Sequence, residues 1–275
     1  MITSKTKLYA IIGDPVQHSL SPVMRNAAFT ALNLDCAYVA LRVTKENLKA
    51  AVDGMNAMEF GGFNATMPHK KALCALVDEI DEFAEFCEAV NTVDIKNGKL
   101  FGYNTDGPGT LEALQAEKAD ISECVVIGAG GAGRAIAYAL AKNGSNVTIL
   151  NRDMQKAKSL ADKIQKAGFS ASAGGLEQLE AAVKTATTLC HVTPIGLHEE
   201  ASIVPATLLR KNLTVMDAVY RTKDTPLIAD AKKAGCKTVP GWKMLLYQGR
   251  QSFERWTGKK APMDVMEQAL RGAMA

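Results

Sequence analysis

The chain has 275 residues, 47% of them apolar and 22% charged, which is the composition of an ordered globular protein of one large domain or two smaller ones and excludes a disordered chain. Lysine and arginine number 32 against 29 acidic residues, too small an excess to imply a nucleic-acid or polyanion partner. No apolar run approaches the roughly 18 residues of a membrane-spanning helix and no apolar block opens the chain, so a cytoplasmic protein without membrane or nucleic-acid partners is expected.

In chain order, Leu8–Ile12 is predicted as a strand, Pro22–Leu32 as a helix, Ala37–Val43 as a strand and Glu46–Met55 as a helix. Phe60–Thr66 then reads as a strand and Lys70–Val77 as a helix, which makes the first 105 residues an α/β segment. In His18-Ser-Leu-Ser-Pro22, Ser21 is predicted as the N-cap and Pro22 as the first helical residue. Ser19 and Ser21 then offer hydroxyls at a positive helix end, suited to a small carboxylate, although capping alone explains Ser21 equally well. The helix predicted after Asn64-Ala-Thr-Met-Pro-His-Lys70 puts Lys70 in its first turn, against the helix dipole. That misplacement points weakly to function, and a lysine bending into water is the plain alternative. Glu88-Ala-Val-Asn-Thr92 and Gly102-Tyr-Asn-Thr-Asp-Gly107 are two further polar clusters, the second of which turn chemistry also explains.

The middle of the chain carries the clearest pattern. Cys124–Ile127 is a short β-branched strand, Gly128-Ala129-Gly130-Gly131-Ala132-Gly133 a glycine turn, Arg134–Lys142 an Ala-rich helix and Asn146–Leu150 a second strand. In that context GxGxxG is a dinucleotide fingerprint: glycines permit the tight turn and let the backbone approach a pyrophosphate seated on the helix N-terminus. A glycine-rich packing contact is the alternative. Strands at Thr188–Val192 and Leu213–Asp217 and helices at Lys156–Ala167 and Pro226–Ala234 extend the alternation into a doubly wound parallel sheet. The expected division is substrate in the N-terminal α/β domain and cofactor in the central Rossmann-type domain, with the site in a cleft between them.

After the second strand of that domain, Asn151-Arg152-Asp153 bears on the choice of dinucleotide. An acid at this point favours the ribose of NAD and an arginine the 2′-phosphate of NADP. Arg152 favours NADP, Asp153 complicates it, Lys156 adds positive charge, and a solvated turn with a local ion pair is also consistent, so NAD stays open. The six cysteines form no CxxC pair and the four histidines no HExxH cluster. Reduced, mostly buried thiols and no metal are expected.

Taken together, Gly13-Asp-Pro-Val-Gln-His-Ser-Leu-Ser-Pro22, Asn64–Lys70, Ala89-Val-Asn-Thr92, Asn104-Thr-Asp106, the glycine turn, Asn151-Arg152, Thr225-Pro-Leu227 and Gly241-Trp-Lys-Met-Leu-Leu-Tyr-Gln248 resemble the shikimate dehydrogenase family over nearly the whole chain. The resemblance implies reversible NADP-dependent reduction of 3-dehydroshikimate to shikimate, with Lys70 and Asp106 as the catalytic pair. It places Ser19 and Ser21 on the substrate carboxylate, with Thr66, Asn91, Tyr220 and Gln248 on its hydroxyls or carboxylate end. It further implies Gly241 and Met244 near the nicotinamide and Ala218 on the cofactor. Residues 1–106, completed by helices in 242–275, would form the substrate domain, and 107–241 the NADP domain. A monomer or homodimer is expected.

Ala65, Arg25 and His191 depart from the family's usual Val, His and Asn, and Arg25 and His191 leave substrate breadth and the adenine side open. A quinate/shikimate dehydrogenase using NAD or NADP is the nearest alternative, and a non-catalytic dinucleotide sensor a remote one. An ordinary lysine, with a pKa of about 10.4, is a poor base at neutral pH. Lys70 is therefore assigned to proton transfer or charge stabilisation, and Asp106 to orienting it and the substrate.

Overall fold

The computed structural model describes residues 2–274. The chain divides into two compact units, Met1–Thr105 with Gln248–Ala275, and Asp106–Tyr247.

The first unit is built on β1 (Lys7–Gly13), α1 (Ser21–Ala31), β2 (Cys36–Arg42), α2 (Leu48–Ala57), β3 (Gly62–Ala65), β4 (Glu79–Ile80), α3 (Glu82–Cys87), β5 (Thr92–Lys96) and β6 (Lys99–Tyr103). Its sheet order is β2-β1-β3-β5-β6-β4. The expected βα alternation holds only for β1, β2 and β3, which are parallel. Beyond them β5 runs antiparallel to β3, and β6 antiparallel to β5, so the sheet is mixed. The hairpin reverses at Asn97-Gly98, where both residues have positive φ (53° and 76°), the backbone that a two-residue hairpin turn of right twist demands. Ile12, Val52, Phe63, Leu73, Val90 and Val93 are buried together in this unit's core. Each such side chain contributes roughly 1.5–3 kcal/mol on burial.

Two local expectations are corrected here. Helix α1 begins one residue early: Leu20 is its N-cap and makes no side-chain cap bond, Ser21 is the first helical residue, and Pro22 follows it. Leu20 already has helical dihedrals, which leaves Ser21 no capping role. Lys70 lies not in a helix but in the turn before a single 3₁₀ turn, Ala72–Ala75, so no helix dipole acts on it. Leu73, Leu76 and Val77 imitate a helical apolar spacing while packing on the core from a short, irregular segment.

The second unit contains α4 (Asp106–Ala116), β7 (Glu123–Ile127), α5 (Gly131–Lys142), β8 (Asn146–Leu150), α6 (Met154–Lys166), β9 (Ala171–Gly174), α7 (Leu179–Thr185), β10 (Thr188–His191), β11 (Thr214–Asp217), α8 (Pro226–Lys233) and β12 (Lys237–Val239). All pairings in its sheet are parallel, in the order β12-β11-β10-β7-β8-β9. The order reverses direction beside β7, the switch point at which doubly wound sheets bind ligands. Helix α9 (Gly241–Thr257) starts in this unit and ends in the first, and α10 (Met263–Met274) packs on α1 with Met266 and Leu270 buried.

Only Cys87, Cys124 and Cys190 are buried; Cys36, Cys74 and Cys236 are half-buried, so the expectation of mostly buried thiols holds for half of them. Burial pushes the Cys124 thiol up to about 12. Among the described residues no helix is long and apolar enough to cross a membrane, and no group of three or more His, Cys, Asp or Glu side chains is placed to hold a metal.

Candidate active site

In the first unit, parallel pairing sets the end of β1 beside the end of β3, with Ile12 opposite Ala65. The two loops that follow are tied together at once: Thr66 N donates to Ile12 O (2.9 Å) and Asp14 N to Met67 O (3.1 Å). Gly13 is required at this junction, since a Cβ there would lie 2.4 Å from Thr66 Cγ2. The loop that carries Ser19 and leads into Ser21, the first residue of α1, and the turn bearing Thr66 and Lys70 therefore leave one edge of the sheet together. Antiparallel pairing brings the start of β5 and the end of β6 to that same edge, with Asn64 opposite Thr92 and Thr92 opposite Tyr103.

A buried polar network fills this edge. Asn64 Nδ2 donates to Asn91 O (3.1 Å) and Thr92 Oγ1 (2.9 Å), and the Thr92 hydroxyl donates to Asn91 Oδ1 (2.9 Å). Asn91 in turn clamps Thr105: its Oδ1 accepts from Thr105 N (2.8 Å) and its Nδ2 donates to Thr105 Oγ1 (3.1 Å). The Thr105 hydroxyl reaches Gln248 Oε1 (3.4 Å), and Asn104 Nδ2 donates to Ala89 O (2.8 Å). The network fixes the backbone immediately before Asp106, the first residue of α4, itself buried. Lys70 is half-buried, and its carbonyl accepts from Val90 N (2.8 Å), anchoring its turn to the segment that carries Asn91 into β5. The hydroxyls of Ser21 and Thr66 make no hydrogen bond among the described residues, whereas Ser19 Oγ accepts from Ser21 N (3.3 Å). Replacing Asn91 with alanine strands several of these buried groups at roughly 1–3 kcal/mol each, so Asn91→Ala is expected to lower the unfolding free energy in denaturant titration by at least that much.

In the second unit the glycine turn lies at the carboxyl end of β7. Gly128 has φ +118° and Gly133 packs so closely that a Cβ would lie 2.0 Å from Gly128 O. Gly130 caps α5, and a Cβ on Gly130 or Gly131 would meet nothing within 4 Å, leaving an open cradle above the helix N-terminus. The helix starts at Gly131, three residues before the predicted Arg134, so the last glycines belong to its first turn. Ala129 N donates to Asn151 Oδ1 (3.3 Å) and Asn151 Nδ2 to Asp153 O (2.9 Å), joining the turn to the end of β8.

Asp153 has a structural occupation: its carboxylate is the N-cap of α6, accepting from Gln155 N, and lies 3.5 Å from Lys156 Nζ. Arg152 is exposed and has no hydrogen-bond or ion-pair partner among the described residues. Ala218 and Gly241 also meet in this unit, since a Cβ on Gly241 would lie 2.6 Å from Ala218 O; Met244 is buried one turn along α9 and Tyr220 half-buried just beyond β11. A buried chain that sequence reasoning did not find runs across the ends of β10 and β11. His191 Nδ1 donates to Asp217 Oδ1 (3.0 Å), its Nε2 pairs with the Thr193 hydroxyl, and Asp217 Oδ2 accepts from Thr225 Oγ1 (2.6 Å).

The family profile described as shikimate dehydrogenase substrate binding domain matches residues 11–93, that described as shikimate/quinate 5-dehydrogenase matches 111–222, and that described as shikimate 5′-dehydrogenase C-terminal domain matches 241–271. The chain is 46% identical over 277 aligned positions to shikimate dehydrogenase (NADP+) of Methanothermobacter thermautotrophicus, covering 98% of both. The chain belongs to the shikimate dehydrogenase family. Solved family structures agree with the fold: a shikimate dehydrogenase in complex with NADP+ superposes with a TM-score of 0.94 at 41% identity, covering 100% of this chain and 98% of that one. The Thermus thermophilus shikimate 5-dehydrogenase in complex with NADP(H) and shikimate gives 0.90 at 38%, covering 98% and 100%. The α/β architecture with a Rossmann-type sheet is that of the shikimate dehydrogenase family.

Proposed function

We propose that this chain catalyses the reversible NADP-dependent reduction of 3-dehydroshikimate to shikimate, a step towards chorismate and the aromatic amino acids, in the cytoplasm. The observation that carries the reading is full-length likeness to shikimate dehydrogenases named for NADP+, at 46% identity. The first unit is the substrate domain and the second the NADP domain; the enzyme works as a monomer or homodimer.

The residues present fit a dinucleotide. Gly130 and Gly131 leave open the space that a pyrophosphate needs over the N-terminus of α5, and Arg152, unpaired among the described residues, stands beyond β8, where a 2′-phosphate would lie. Gly128, Ala129, Gly130, Gly131, Ala132 and Gly133 would cradle the phosphates, Asn151 and Arg152 the adenosine end, and Ala218, Gly241 and Met244 the nicotinamide end. Asp153 and Lys156, paired with each other, assist only through their shared turn. When bound, the nicotinamide supplies or removes the hydride on the ring carbon.

The protein manages the proton and the orientation. Lys70 exchanges the proton with the ring oxygen as it changes between ketone and hydroxyl, and Asp106 orients the reacting group. Ser19 and Ser21 hold the substrate carboxylate, the Ser21 hydroxyl making no hydrogen bond among the described residues, and Thr66, Asn91, Tyr220 and Gln248 hold the hydroxyls or the carboxylate end. Initial rates with shikimate and quinate, each with NADP and NAD, test the reading: shikimate with NADP is expected to be fastest, and a quinate–NAD preference overturns it. Arg152→Ala is expected to raise the KM for NADP by about 10-fold to 100-fold, the worth of a charge-assisted phosphate contact, and to leave that for NAD nearly unchanged.

A further inference from the structure

Arg25 lies on α1 one helical turn after Ser21, and it is entirely buried. Its Nη1 donates to Gly249 O (3.1 Å) and its Nη2 to Ser252 Oγ (2.6 Å), and its guanidinium carbon sits 4.9 Å from the ring centroids of both Tyr38 and Trp256. The Nε atom is buried with no hydrogen-bond partner, and no carboxylate pairs with the group among the described residues. Burial opposes the charge and draws the pKa down, but a guanidinium does not give up its proton in a protein. A carbonyl, a hydroxyl and two ring faces solvate the cation without neutralising it. Its field, acting through protein rather than water, is screened less than that of a surface lysine.

The groups around this cation lead directly to positions assigned above to the substrate. Gly249 follows Gln248 in α9, and the Ser252 hydroxyl also donates to Gln248 O (3.1 Å). The Tyr38 hydroxyl donates to Asn64 Oδ1 (2.7 Å), and Asn64 holds Asn91 O and Thr92. Ser21 is the residue one turn back on Arg25's own helix, the direction in which helical side chains lean.

We propose that Arg25 is a specificity-determining positioning residue: its buried, unneutralised charge, adjoining Ser21 and Gln248, favours a substrate bearing a carboxylate over a neutral polyol or ester of the same ring. This rests on the function proposed above. The uncompensated cation is the feature that calls for an explanation, because an anionic ligand near Ser21 would supply the counter-charge that the fold itself omits.

The test compares KM and kcat for shikimate and for its methyl ester, the ester read as substrate or as competitive inhibitor, in the wild type, Arg25→Met and Arg25→Lys, with NADP. Arg25→Met is expected to raise the KM for shikimate about tenfold, with kcat within about twofold and the ester's KM or inhibition constant nearly unchanged. Arg25→Lys should recover most of the loss. An unchanged KM for shikimate, an equal loss on acid and ester, or a lysine variant no better than methionine each overturns the proposal. Arg25→Gln, which keeps donors for Gly249 and Ser252 and removes the charge, carries the same comparison if the methionine variant does not fold. Absence of shikimate turnover by the wild type would instead reject the proposed function, before any variant is compared.

Discussion

Lys70→Ala is expected to lower kcat for shikimate oxidation by about 10²–10⁴-fold, the usual worth of a positioned proton-transfer group, with KM for shikimate changed less than about threefold. The separation of the two constants follows from where Lys70 sits. Its turn is anchored by backbone bonds, Val90 N to Lys70 O and Asp14 N to Met67 O, which the substitution leaves intact. The hydroxyls assigned to binding stand on Ser21 and Thr66, and Asn91 is clamped to Thr105 through both atoms of its amide. An alanine variant with near-normal kcat would remove Lys70 from the mechanism. A rise in KM equal to the fall in kcat/KM would move it from proton transfer to binding.

The same residue shows how far local sequence reaches. Lys70 stood out from its motif, yet the helix predicted around it is absent, because the apolar spacing of Leu73, Leu76 and Val77 serves an irregular segment on the core. The glycine turn was legible because its demands are local. Gly128 needs positive φ and Gly133 tolerates no Cβ, and no other residue type meets either condition without strain. Asn97-Gly98 was equally local, and its two positive-φ positions are the signature of the hairpin that the sequence reading passed over.

What local reading does not reach is the network of Asn64, Asn91, Thr92, Thr105 and Gln248. These residues lie in four separate stretches of the chain and meet only through antiparallel pairing of β3, β5 and β6 and the return of α9 to the first unit. Arg25 is a similar case: on the sequence it is one departure at a helical position, and only Tyr38, Gly249, Ser252 and Trp256 make it a buried cation. Asp153 is, by contrast, a local case. Its carboxylate, equally consistent in sequence with a ribose contact or a turn, is the cap of α6.

Two glycine substitutions, three positions apart, are expected to separate folding from cofactor binding. In Gly133→Ala the new methyl would lie 2.0 Å from Gly128 O and 2.8 Å from its carbonyl carbon, both backbone atoms with no rotamer to yield. The turn itself must move, at a cost of roughly 1–3 kcal/mol or more, the range for overpacking a close contact. Thermal unfolding of the ligand-free variant should fall by several degrees, and NADP affinity should fall with it, since the cradle is displaced. Gly130→Ala meets no protein atom within 4 Å, and Gly130 already has φ −77° and ψ −170°, which alanine adopts freely. Its stability should match the wild type, while the methyl stands in the space assigned to the pyrophosphate and weakens NADP binding by about tenfold or more, one lost or strained phosphate contact being worth that much. Titration of NADP alongside a melting curve for each variant reads both quantities. Wild-type NADP affinity in Gly130→Ala would mean that the phosphates do not approach this turn, and an undiminished melting temperature in Gly133→Ala would mean that the close approach of Gly133 to Gly128 is not what holds the turn in place.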